Sequence, residues 1–142
     1  MVHSLTGGCR CGRIRYAFSE PPTFRYICCC RDCQRFTGSI GMPNIGGPRR
    51  SFRLLDGRPA HYAVTADNGA TIHRGFCGAC GSCLFVWPEI DGVLYTAQDD
   101  VVGVAAGTLD DPALFVPEFA VYTDRAPPWA AFPEGLPRYP AP

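Results

Sequence analysis

"FCGACGSC", residues 76 to 83, sets a C-x-x-C-G turn at the end of the strand-like run Ala70 to Phe76. Such a turn aims two thiolates at one metal ion, and glycine lets backbone amides come close to the sulfurs. Two thiolates do not close a structural zinc site, which takes four ligands. The run Cys9-Arg10-Cys11-Gly12 can supply the other two, because positions i and i+2 of an extended segment share a face. Cys9, Cys11, Cys77 and Cys80 then form one Cys₄ set that ties the N-terminal end of the chain to a segment far along it. Structural zinc binds with an apparent free energy of ~10 kcal/mol or more, a large term for a small glycine-rich chain.

A second cluster, Cys28-Cys29-Cys30-Arg31-Asp32-Cys33, is left to be explained by itself. Cys28 and Cys30 share a face of an extended segment, and Cys33 returns through a C-x-x-C turn. Three thiolates converging with a fourth position open is the geometry of a catalytic zinc. Two other readings stay open: a second structural site closed by Cys29, Cys83 or a histidine, and a metal-free redox pair. Cys29 should face away from its neighbours as a packed thiol, and Cys83 should be a buried thiol on the strand leaving the turn. His3, His61 and His73 show no ligand spacing to any cysteine. Arg31 and Arg35 flank the open site and are candidate contacts for a substrate carboxylate, with Arg49 and Arg50 more distant candidates.

The chain has 142 residues and a formal net charge of zero, so it can form one domain with a core but carries no basic face for nucleic acid. No apolar run approaches the roughly 18 residues of a membrane span. Met1 to Gly8 lacks a basic start followed by an apolar block, so a cytoplasmic protein is expected. There thiols stay reduced, and nine cysteines, an odd number, argue for metal or reactivity rather than disulfides. Sixteen glycines and fourteen prolines leave little room for long helices. Short runs of strand character lie at 14–18, 24–27, 40–45, 51–54, 60–65, 70–76, 84–87, 93–98, 101–105 and 119–122, with one helical turn after Cys33. The expectation is a single β-rich domain over residues 1–142, its proline-rich tail laid over the core by Trp129, Phe132 and Tyr139.

With these motifs in order, the chain resembles the glutathione-dependent formaldehyde-activating enzyme (GFA) family, which includes the centromere protein V type domain. The matching runs are Gly7-Gly8-Cys9-Arg10-Cys11-Gly12, Cys28 to Arg35 with Thr37-Gly38, and Phe76 to Ser82 with Leu84. Gly107-Thr108-Leu109-Asp110-Asp111-Pro112 and Pro128-Trp129 complete them. The resemblance implies a β-tent fold of small antiparallel sheets around a structural zinc on Cys9, Cys11, Cys77 and Cys80. It also implies a catalytic zinc on Cys28, Cys30 and Cys33, hence two zincs per chain. The implied activity is that of a carbon–sulfur lyase joining formaldehyde to glutathione as S-hydroxymethylglutathione, with a small-molecule thiol as partner. A non-enzymatic zinc-scaffolded interaction module and a thiol redox or metal-buffering protein are the alternatives. Three positions depart from the family pattern: Cys29 replaces the histidine of C-H-C, Phe119 stands where members commonly carry histidine, and Cys83 is an added thiol.

Overall fold

The computed structural model describes residues 3–66, 69–88 and 101–141. Its strands are β1 (Leu5–Gly8), β2 (Arg15–Phe18), β3 (Phe24–Cys28), β4 (Met42–Pro48), β5 (Phe52–Asp56), β6 (Ala60–Thr65), β7 (Thr71–Phe76), β8 (Cys83–Pro88), β9 (Val101–Ala105) and β10 (Phe119–Val121). One α-helix, α1 (Arg31–Thr37), lies between β3 and β4. The strands make a three-stranded sheet in the order β1-β2-β5 and a seven-stranded sheet in the order β10-β3-β4-β9-β8-β7-β6. Among the described residues the protein is therefore mainly β, with two sheets and one short α-helix. All pairings are antiparallel except β10 with β3, which run parallel. One sheet is larger than the small sheets expected, because β3, β4, β9, β8, β7 and β6 pair in one continuous run and β10 extends its edge at β3.

Period-two alternation divides the large sheet into two faces. One face packs against the three-stranded sheet: Ile45, Phe85, Trp87, Val102 and Val104 join Leu5, Tyr16 and Phe18 in the main core. The other face carries Met42 and Ala105, packed with Cys33 of α1 and against Cys28, Phe36 and Val86. A register shift between Gly75 and Phe76 sets Phe76 opposite Cys83 rather than Leu84. Leu84 stays in the main core, while the Cys83 thiol donates to the Phe36 carbonyl of α1 at 2.8 Å.

Helix α1 begins at Arg31, before the turn expected after Cys33. The cause is its cap: Cys30 is extended (φ −62°, ψ 155°) and its sulfur accepts the Cys33 amide. Gly38 ends the helix in the left-handed region (φ 72°), its N–H returning to the Gln34 carbonyl. In the tail, Phe132 and Leu136 pack against Ile27, Cys29 and Ala120, and Tyr139 meets Phe119 edge-on. Trp129 does not join them; it is 69% exposed, on a turn closed by the Ala130 amide and the Pro127 carbonyl. The strand expected at 93–98 lies outside the described residues.

The Gly107-to-Pro112 run is a lock on the first sheet. The Thr108 hydroxyl meets the buried Tyr16 hydroxyl at 2.8 Å, and the Asp110 carboxylate takes both Arg15 and Thr6. A side chain at Gly7 would run into the Tyr16 hydroxyl and the Thr108 carbonyl, so the close approach needs glycine there. Gly7→Ala is expected to cost about 1–3 kcal/mol in chemical denaturation, as overpacking does. Arg15 and then Thr6 hold the Asp110 carboxyl below the usual range. A depressed carboxyl stabilises above its unfolded value and loses that contribution as pH falls through the folded one. Asp110→Asn should therefore cost less than about 1 kcal/mol at neutral pH for this half-exposed pair, with the deficit fading below about pH 4.

Candidate metal centres and an adjoining cavity

Cys9 and Cys11 leave β1 in a tight turn, and Cys77 and Cys80 leave β7 in another. The four sulfurs lie within 4.8 Å of one another. Cys9 Sγ stands 3.5 Å from Cys11 Sγ, which stands 3.8 Å from Cys77 Sγ. Backbone amides prepare them for negative charge: Ile14 N–H donates to Cys9 Sγ at 3.3 Å and Cys80 N–H to Cys77 Sγ at 3.4 Å. The Ser82 hydroxyl, then the Ser82 and Cys11 amides, pull the Cys80 thiol down to about 5. Ser82 also ties the two turns together by accepting the Arg10 amide at 3.0 Å. Four soft donors so close, with amides aimed at their sulfurs, suit a tetrahedral thiophilic cation and could hold one.

Cys28 ends β3, Cys30 caps α1 and Cys33 lies in its first turn. Their sulfurs also fall within 4.8 Å of one another. Hydrogen bonds from Cys28, Cys33 and the Cys33 amide to the Cys30 sulfur hold the Cys30 thiol below the usual range. Cys28 is pushed up by the same sharing with Cys30 and Cys33, to which burial adds. This cluster too could hold a metal ion, with three protein ligands rather than four.

A residue not singled out in the sequence completes this cluster. Arg74 of β7 is only 3% exposed, and its Nη2 donates to Cys33 Sγ at 3.5 Å. Its guanidinium lies 5.3 Å from the centre of the Phe36 ring. Desolvation works against the buried cation, but Cys33 and Cys30 outweigh it and raise its pKa. The only sequence signal is its even position in an alternating strand, and that needs the register with β8 to become meaningful.

The three cysteines open onto a cavity of ≈ 380 Å³. Sheet register builds its floor: Phe119, Tyr26 and Asn44 form one row across β10, β3 and β4, and Val121, Cys28 and Met42 form the next. Arg74, Ile72 and Val86 line it from β7 and β8, and Arg31 from α1. Arg31 donates to the Gln34 side chain, whose Nε2 holds the carbonyls of Cys29 and Arg125, both at 2.8 Å. Arg35 is exposed on α1 and is not among the lining residues. Arg49 and Arg50 lie elsewhere, over Phe52 and paired with Glu20 respectively. Cys29 is fully buried on the opposite side with Ile27 and Ala120, so of the three departures from the family pattern only Phe119 lines the cavity. His61 and His73 stack around Trp87, away from both clusters.

The family model described as glutathione-dependent formaldehyde-activating enzyme matches residues 4–125.

The two clusters should respond differently to loss of a ligand. Cys77→Ser removes a donor that sits in the main core and is expected to lower the melting temperature by more than about 10 °C, measured by circular dichroism. Cys30→Ser should shift it by only a few degrees while abolishing metal uptake at the second cluster. Arg74→Gln should weaken metal binding there about tenfold in chelator competition and leave the four-cysteine site unaffected, because it removes the buried countercharge alone.

Proposed function

The chain belongs to the glutathione-dependent formaldehyde-activating enzyme family, and from that premise we propose a zinc-dependent enzyme of the carbon–sulfur lyase class that acts on an adduct of glutathione or another small thiol. One observation carries this reading: the three-cysteine cluster lines the ≈ 380 Å³ cavity, and the four-cysteine ligands are not among its lining residues. One zinc, on Cys9, Cys11, Cys77 and Cys80, is structural. The other would be held by Cys28, Cys30 and Cys33, where it would supply a Lewis-acidic position favouring the thiolate form of an incoming thiol.

The chain's own residues do the rest. Arg74 places a buried positive charge against Cys33 and offsets the excess negative charge of several thiolates in one pocket. Arg31 at the cavity and Arg35 one turn along the same helix face are the cations for the thiol's two carboxylates. The thiol loses its proton to solvent, and its sulfur lone pair forms a bond to the aldehyde carbon. The carbonyl π pair moves onto oxygen, which takes up a proton from solvent. Walls that hold both reactants in the cavity convert an encounter into a positioned reaction.

Native mass spectrometry should find two zinc ions per chain. After cobalt substitution, glutathione should shift the absorption of one of the two metals, and Cys30→Ser should remove that response. Arg31→Ala should raise the half-saturating glutathione concentration about fivefold to tenfold, in keeping with one exposed charge-assisted contact. A single tightly held ion, indifferent to glutathione, would overturn the proposal.

A further inference from the structure

The Phe119–Tyr26–Asn44 row has a polar feature that thiol chemistry leaves unused. Asn44 is 7% exposed, and its Nδ2 donates to the Tyr26 hydroxyl at 3.1 Å. The Asn44 side chain packs against Gly103 so closely that a Cβ there would collide with it, and its Oδ1 is buried without a hydrogen-bond partner among the described residues. With an acceptor position of its oxygen filled by Asn44, the Tyr26 hydroxyl has its own hydrogen left to donate. No acceptor for that hydrogen is found among the described residues, and Tyr26 lines the cavity. Cys28 lies two residues further along the same strand face, so sulfur and hydroxyl look into one space.

On the β10 side of Tyr26 the row is apolar. The Phe119 ring lies parallel to Tyr26, with an interplanar angle of 1° and centroids 5.3 Å apart. Val121, Tyr122 and Met42 continue the wall. Of the cavity's cations, Arg74 is held by Cys33 and Arg31 sits on α1, so neither belongs to this row. The row itself carries no charged side chain to meet the carboxylates and ammonium of a glutathione body. A one-carbon hydroxymethyl group would leave the aromatic wall in water, whereas each further methylene buried against it favours binding roughly fourfold.

We infer that this row is the subsite for the carbonyl-derived end of the substrate: the Tyr26 hydroxyl donates to the oxygen on that carbon, and the Tyr26–Phe119 wall takes an apolar alkyl or aryl substituent on it. The aldehyde component is thus larger and more apolar than formaldehyde. The inference rests on the lyase-class reading for the place of the sulfur. In carbon–sulfur bond formation, the oxygen that receives the carbonyl π pair is the atom Tyr26 holds, and a donor aimed at developing negative charge lowers the barrier. Tyr26 is then a catalytic residue and Asn44 a positioning residue.

The test is calorimetric titration of the zinc-loaded protein with benzyl alcohol, toluene and methanol. Benzyl alcohol imitates a hydroxyl-bearing carbon with an apolar substituent, and toluene lacks only the hydroxyl. Benzyl alcohol should bind about fivefold or more tighter than toluene, and methanol should not bind measurably. Tyr26→Phe should abolish the advantage of benzyl alcohol and leave toluene unchanged, which also reports an intact wall. Phe119→His should weaken both aromatic probes. Equal binding of benzyl alcohol and toluene to the wild type, which needs no variant to fold, would overturn the inference. So would a Tyr26→Phe loss shared by both probes, an indifferent Phe119→His, or no binding. The cobalt response to glutathione is read separately. If it is absent while benzyl alcohol behaves as expected, the lyase reading falls and the subsite stands. If it is present while benzyl alcohol gains nothing over toluene, the subsite falls and the lyase reading stands.

Discussion

Sulfurs crowded within 4.8 Å of one another cannot all carry negative charge without a cation among them. That electrostatic constraint governs the molecule at two places and is met differently at each. At the four-cysteine cluster the amides of Ile14 and Cys80 and the Ser82 hydroxyl lower the cost of ionisation, and the turns after β1 and β7 are joined wherever a cation is held. At the three-cysteine cluster the protein supplies a cation of its own, Arg74, and one fewer sulfur. The difference in ligand number is thus matched by a difference in built-in charge.

The seven-stranded sheet makes both arrangements compatible. Alternation sends Phe85, Trp87 and Val104 into the core shared with the small sheet, and it sends Arg74, Val86, Cys28 and Tyr26 to the cavity side. Neighbouring residues therefore serve opposite purposes: Phe85 fills the core while Val86 walls the cavity, and Cys29 is packed away while Cys28 and Cys30 face the site. A one-residue slip in any of these strands would exchange the two faces. The bulge at Gly75 uses such a slip locally, turning Cys83 toward α1 while keeping Leu84 in the core.

Much of this is legible in the sequence, where local chemistry carries the information. Short runs of strand-forming residues mark Ala60–Thr65 and Val101–Ala105 with their boundaries intact. Cysteine spacing divides the thiols into the groups of four and three that lie together in space. Strand β1 escapes such a reading, because half of it is glycine, a poor strand former, and its order comes from pairing with β2 and the lock at Thr108. Arg74 and the Phe119–Tyr26–Asn44 row are not legible either, since residues so far apart in the chain meet only through strand register. Hydrophobicity alone lays Trp129 over the core, and a local turn keeps it outside.

The parallel pairing of β10 with β3 also orders events during synthesis. Domains form as the chain emerges, and long-range pairings are the slow ones. All seven clustered thiols, together with Arg74, belong to the first 80 residues. Phe119 follows roughly forty residues later, and the stretch through Tyr139 that fastens β10 comes later still. On a growing chain the sulfurs are thus available to metal before the aromatic side of the cavity exists. The residues made later thus give the cavity its shape rather than its charge.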